Sequence, residues 1–404
     1  MPELNYTGAV NTAERADLLS AASSLVPLLR GNAERADRDR RLTDVGIAGL
    51  REAGFFRLST PRANGGRAVD LRTFLALSAE LGRGCSASAW VASIFYGGGL
   101  MVGLFGDRVR DEVWGSGPDT TVCGSIGGRG GSARKVDGGW VVSGRWGWSS
   151  GVRHAQWTVL GVAGEPEKAL PYRGLALVPT VELSIEDTWR MVGMRGTGSD
   201  TVVAENVFVP DDHVLSLETV RCGMPRGRGA DGCLTRVPFP VTLMLALTGP
   251  LLGMARAAHD HTVQRLKQGR PLVSAVTLHS RAADSAAVQA NIAESAMLID
   301  SAWMHAERAA ADVDQATYEC VDLDSARTVR LRMDMCYAAR HAQKSVDLVL
   351  DVGGAGAFAE SSPTQRIWRD LGTASRHPAF DLEVTRELYG RYLLDAEVPP
   401  VLVL

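Results

Sequence analysis

The sequence predicts an α+β chain in three parts: helical, then β, then helical again. Two observations carry this reading. Of the 44 glycines, 23 fall between Gly97 and Gly198, about a quarter of the 404 residues. By contrast, the 81 residues from Leu272 to Val352 contain neither Gly nor Pro. Helix interiors disfavour both residues, so this second stretch reads as long helices packed on one another. Apolar Ala286, Val288, Ile292, Met297, Ile299 and Trp303 mark one mostly buried helix over Arg281 to Val313, and a second is expected over Leu323 to Asp351.

The N-terminal part, to about Val113, has helical patterning in Ala/Leu/Arg-rich segments around 13–30, 43–54 and 71–82. The glycine-rich middle carries short β-branched or aromatic runs bounded by turn residues. These are Trp140–Val142, Trp157–Leu160, Leu175–Val178, Val202–Val203 and Val207–Val209, with Asp137-Gly138-Gly139 as a turn before the first. One uncharged stretch, Val237 to Ala255, approaches membrane-span length. Pro238, Pro240, Gly249, Pro250 and Gly253 interrupt it, which suits a buried bundle helix better than a bilayer helix. The parts divide as 1–115, 116–218 and 219–404.

The 43 Lys+Arg against 46 Asp+Glu leave a formal charge of −3, which argues against a nucleic-acid binder. With 45% hydrophobic and 22% charged residues the chain reads as an ordinary globular protein. Six cysteines at 85, 123, 222, 233, 320 and 336 form no Cys-x-x-Cys pair and read as buried free thiols. The first residues have neither a basic nor an apolar signal-peptide region, so a cytoplasmic location is expected, with no membrane contact.

Several motif matches fail on context. Gly227-Arg-Gly229-Ala-Asp-Gly232 has the dinucleotide-loop spacing, but prolines flank it where a strand and a helix are needed; it reads as a loop, and no nicotinamide-binding domain is encoded. Gly147-Trp-Ser149-Ser-Gly151 has the nucleophile-elbow spacing, but a strand follows it where a helix should. His259 and His261 are two apart and make a poor metal pair. No metal site is expected.

What remains is GSIGGRGGSARKVDGGWVVSGRWGWSSGVRHAQW (Gly124 to Trp157), MRGTGSDTVVAENVFVPDDHVL (Met194 to Leu215) and PTQRIWRDLGTASRH (Pro363 to His377), supported by Pro61 to Asp70 and Leu81 to Trp90. Together these resemble the acyl-CoA dehydrogenase superfamily and, within it, the oxygenase components of two-component flavin monooxygenases. The resemblance covers nearly the whole chain. It implies an N-terminal helical domain, a central β-barrel-like domain and a C-terminal four-helix bundle that tetramerises.

The implied activity is a reduced-flavin-dependent monooxygenase. It would take reduced FAD or FMN from a separate NAD(P)H:flavin reductase, form a C4a-hydroperoxyflavin with O2, and hydroxylate or N-oxygenate a small aromatic, polycyclic or amine intermediate, as in antibiotic biosynthesis. Such a site needs a dry pocket, a hydrogen-bond partner at flavin N5 and a placed acid or base. The resemblance puts Trp148-Ser149-Ser150-Gly151 along the isoalloxazine edge, with Ser150 at N5, Ser125 near flavin and substrate, and Trp90 as a pocket wall. His377 follows Arg369-Asp370 at the spacing of the residue that handles the peroxide proton, which a neutral imidazole titrating near physiological pH can do. The flavin phosphates fall to Arg270 or Gln289 and to a neighbouring subunit's Gly353-Gly354.

Two departures stand out. Gly98 occupies the position of a second histidine in the family's phenol hydroxylases, and Gly97 to Gly99 would leave room for a bulkier or carrier-tethered substrate. In addition, Gly353-Gly354-Ala355-Gly356 followed by Glu360 matches the base of an acyl-CoA dehydrogenase, which keeps that activity open as an alternative. A non-catalytic binding paralogue is the other alternative.

Overall fold

The computed structural model describes residues 12–126, 131–163, 174–216, 220, 239–272, 277–319 and 321–398. Helices α1 (Thr12–Asp39), α2 (Asp44–Glu52), α3 (Leu71–Gly84), α4 (Ser86–Val102) and α5 (Asp107–Trp114) come first. Among the described residues eight strands follow: β1 (Val122–Ser125), β2 (Gly131–Val136), β3 (Gly139–Ser149), β4 (Trp157–Val162), β5 (Gly174–Pro179), β6 (Ser184–Glu186), β7 (Asp200–Pro210) and β8 (Val214–Ser216). The chain closes with α6 (Phe239–Lys267), α7 (Ala286–Glu319), α8 (Ser325–Gly353), α9 (Pro363–Ala374) and α10 (Leu382–Leu393). This is an α+β fold with the expected helix, sheet, helix order.

Local chemistry fixes the ends of the elements. Asp70 caps α3 by accepting from Thr73 N at 2.7 Å, and Asp324 caps α8 by accepting from Arg327 N at 2.7 Å. Gly138, at φ +71°, turns β2 into β3. The strands form two four-stranded sheets, ordered β1-β4-β5-β8 and β2-β3-β7-β6. The runs at 202–203 and 207–209 belong to one strand, β7. Asn206, at φ +55°, forms part of a bulge on β7 opposite Ser143 of β3, and its N–H donates to Ser143 Oγ at 2.9 Å.

The uncharged stretch is α6, whose 83% buried apolar window lies against other helices. It crosses α3 closely, since a methyl on Gly253 would stand 2.0 Å from Ala79 O. The helix expected from Arg281 starts at Ala286 instead. Leu272 N donates to Ser280 O and Ala282 N to Arg270 O, both at 3.0 Å, and these bonds divert the backbone before 286. The second long helix spans 325–353, close to expectation. Cys85, Cys123 and Cys336 are buried free thiols; Cys222, Cys233, Cys320 and the loop Gly227–Gly232 lie outside the described residues.

Candidate active site

Strand β3 ends in a distortion that turns two consecutive hydroxyls inward. An ordinary strand alternates its faces, so only one of Ser149 and Ser150 would be buried. The register of β3 against β7 shifts between Trp146 and Ser149, and Trp148 sits at φ +63°. Trp148 is thereby turned out, 71% exposed, and Ser149 in; the strand ends there, and Ser150, in the turn that follows, is buried as well. A positive φ on a tryptophan is uncommon, and such strain concentrates at functional sites.

Helix α4 brings Trp90 to this point. Its Nε1–H donates to Ser150 Oγ at 3.3 Å. The edge of His377, in the turn after α9, meets Trp90 with ring centroids 5.6 Å apart and planes at 67°. Trp90, Ser150 and His377, more than 200 residues apart at the extremes, therefore share one site. Ser125, on β1, lies beside it and donates to Gly147 O at 2.7 Å. Ser149 Oγ is fully buried and has no hydrogen-bond partner among the described residues. A buried hydroxyl is seldom left unpaired, so this atom fits a site that accommodates a polar ring such as a flavin.

The Arg369-Asp370 element ties the site together within the chain. Asp370 Oδ1 accepts from Met194 N at 2.6 Å, and Arg369 bonds to Gln365, Asp37 and the Val192 carbonyl. Burial pushes the Asp370 carboxyl up to about 6. The loop it anchors, 194–199, supplies Ser199, whose Oγ lies 2.7 Å from Ser150 Oγ.

His377 departs from the sequence reading. Burial pushes its imidazole down to about 4, so it does not titrate near physiological pH. Its Nδ1 accepts from Ala379 N at 3.2 Å. In the neutral ring the proton therefore sits on Nε2, and His377 is a hydrogen-bond donor. The lowered value has a stability consequence. Between about 4 and the ordinary 6.5 the unfolded chain holds a proton that the folded site does not, so stability falls as pH falls through that window. His377→Gln is expected to remove about 1–2 kcal/mol of this acid sensitivity, read as the difference between urea titrations at about pH 5 and about pH 7.

The structure corrects four further expectations. Gly98 leaves no room for substrate: a Cβ there would stand 2.1 Å from Val122 O, because α4 lies directly on β1. On either side, Gly97 faces Leu243 and Gly99 faces Ser59. Arg270 is committed to the carbonyls of Val352 and Gly353 of its own chain, the latter at 2.6 Å, and so caps α8. Gln289 donates to Ala283 O at 2.9 Å. Finally, Glu360 is exposed, whereas a base that abstracts a carbon-bound proton needs a desolvated site. Sequence reasoning missed Ser199 and Thr197, which lie in the MRGTGSD segment with no marker beyond small hydroxyl side chains.

Residues 245–382 match the acyl-CoA dehydrogenase C-terminal domain family. The oxygenase subunit HsaA of a flavin-dependent monooxygenase from Rhodococcus jostii is 33% identical over 375 residues, 91% of this chain and 95% of that protein. The chain belongs to the flavin-dependent monooxygenase oxygenase subunits. The p-hydroxyphenylacetate 3-hydroxylase oxygenase component of Acinetobacter baumannii is 24% identical over 96% of this chain and 91% of its own. XiaF from a Streptomyces species, solved with FADH2 and glycerol, superposes with a TM-score of 0.87 at 30% identity, covering 95% of this chain and 97% of its own. This oxygenase therefore uses reduced flavin and O2, and as the oxygenase component of a two-component system it works with a separate flavin reductase. The acyl-CoA dehydrogenase-like fold and the oxygenase activity agree with the sequence resemblance.

Proposed function

We propose that this oxygenase hydroxylates a small aromatic molecule, a phenol or an indole, at the place where α4, the end of β3 and the turn after α9 meet. The carrying observation is the contact set of buried Trp90 and Ser150 with half-buried His377, with the unpaired Ser149 hydroxyl beside it. Aromatic substrates are supported by the names of the relatives, which include a resorcinol hydroxylase, p-hydroxyphenylacetate 3-hydroxylase and indole-3-acetate monooxygenase.

Bound reduced flavin supplies the electrons with which O2 delivers one oxygen atom to substrate. The chain's own residues prepare the surroundings. Ser150 would accept a hydrogen bond from the bound flavin, and Ser149, whose hydroxyl has no partner among the described residues, would help to hold it. Trp90 walls the pocket and keeps water from it. His377, neutral and with its proton on Nε2, would supply a hydrogen-bond donor beside the bound flavin without bringing a charge into the site. Ser125, Gly151 and the exposed Trp148 border this region, while Gly353 and Gly354 of a neighbouring subunit stand as the candidates for the phosphate end.

We assign residues 1–115, 116–218 and 219–404 to three domains, a homotetramer as the working form, a cytoplasmic location and a place in secondary metabolism. The tetramer is supported by Met297 and Met304, 63% and 66% exposed along one side of α7. The test supplies dithionite-reduced FAD or FMN and air with resorcinol, p-hydroxyphenylacetate or indole-3-acetate. A hydroxylated product is expected from at least one, and its yield should fall in both Ser150→Ala and His377→Ala while peroxide rises. Unchanged coupling in both variants would remove them from the site.

A further inference from the structure

Four buried hydroxyl and indole groups form a chain whose every hydrogen is assigned. Trp90 Nε1 can only donate, and it donates to Ser150 Oγ. At the other end the Met194 carbonyl can only accept, and it takes the Thr197 hydroxyl at 2.8 Å. Thr197 has one hydrogen and has used it, so in the 2.7 Å contact with Ser199 the donor is Ser199. Ser199 has then used its own hydrogen, so in the 2.7 Å contact with Ser150 the donor is Ser150. The direction runs one way: Trp90 to Ser150 to Ser199 to Thr197 to Met194 O. All four side chains are at most 8% exposed, so solvent does not reorient them.

Ser150 thus spends its hydrogen on Ser199 and one lone pair on Trp90, and offers only an acceptor to a ligand. Reduced flavin carries a hydrogen at N5, whereas oxidised flavin presents a bare nitrogen there. We propose that Ser199 and Thr197 are positioning residues that hold Ser150 as an acceptor and so make the site prefer reduced over oxidised flavin. This rests on the reading that Ser150 meets flavin N5. The device suits a subunit that must take reduced flavin from solution and release the oxidised form after turnover. Asp370 supports it from behind by holding Met194 N, so the terminal carbonyl stays in place.

The test is a pair of dissociation constants, for oxidised FAD in air and for dithionite-reduced FAD under anaerobic conditions, with FMN in parallel. Ser199→Ala frees the Ser150 hydrogen to donate to the bare nitrogen. Oxidised flavin is expected to bind about fivefold to tenfold tighter, the worth of one buried neutral hydrogen bond, while reduced flavin changes little. A purely structural residue would weaken both. Thr197→Val should act in the same direction, and Thr197→Ser, which keeps the hydroxyl, should keep the wild-type ratio. These two variants carry the test if Ser199→Ala does not fold. If Ser150→Ala shifts the ratio but Ser199→Ala and Thr197→Val do not, the relay is wrong and the Ser150 placement stands. If Ser150→Ala leaves the ratio unchanged, both fall.

Discussion

Gly98→Ala is expected to destabilise the protein by about 3 kcal/mol, the upper end of overpacking costs, and Gly98→His to yield no folded protein. The contact at stake is backbone, since the added Cβ would stand 2.1 Å from Val122 O and 2.7 Å from Val122 C. A side chain could rotate away, but a strand bonded in register to β4 cannot without breaking the sheet. Because α4 carries Trp90 and β1 carries Ser125, separating them also opens the site. Thermal or urea unfolding of Gly98→Ala checks this, with Gly106→Ala as a control. A methyl on Gly106 meets nothing within 4 Å, and its stability is expected to be close to wild type. A near-neutral Gly98→Ala would mean that α4 does not rest on β1.

Ser150→Ala is expected to lower product formed per reduced flavin consumed by about tenfold, the loss of one hydrogen bond at the reacting ring. The missing product should reappear as hydrogen peroxide, and reduced flavin should still bind. The variant leaves Trp90 Nε1–H without an acceptor and Ser199 Oγ without its donor, so a stability loss of about 1–3 kcal/mol is also expected. Comparing Trp90→Phe separates the two effects: it removes the donor to Ser150 but keeps an aromatic wall. Its coupling should lie between those of Ser150→Ala and the wild type. Product yield unchanged in Ser150→Ala would place the reacting ring elsewhere.

The long elements were the most legible part of the sequence. The breaker-free stretch after Leu272 became α7 and α8, and the uncharged run became the buried α6. Short strands were missed where residues lacked β-branching, as in Gly131–Val136, and where three residues suffice, as in β6 and β8. The glycines of helix α4, inside the part read as helical, are the instructive case. Gly97 to Gly99 argue against a helix by propensity, yet they are what lets α4 lie against β1, Ser59 and Leu243. Tertiary packing overrode the local preference there, and the same glycines that suggested empty space are in fact filled.

The site was legible only through resemblance. Trp90, Ser150 and His377 do converge, but spacing alone cannot show that residues in three different parts of the chain meet. What resemblance did not convey was state. The proton on His377 is fixed by Ala379 N and by burial, and the hydrogen on Ser150 is fixed by Ser199 and Thr197, to which the resemblance assigned no role. Both are matters of who donates to whom, which needs coordinates.

The most direct test of the central claim is turnover under oxygen-18 gas, with reduced FAD supplied by a separate NAD(P)H:flavin reductase and the phenol and indole substrates above. One oxygen-18 atom in the aromatic product, with none arriving from labelled water, is the predicted result. Peroxide as the sole product from every aromatic, together with bleaching of added oxidised FAD by an acyl-CoA in the absence of oxygen, would contradict it.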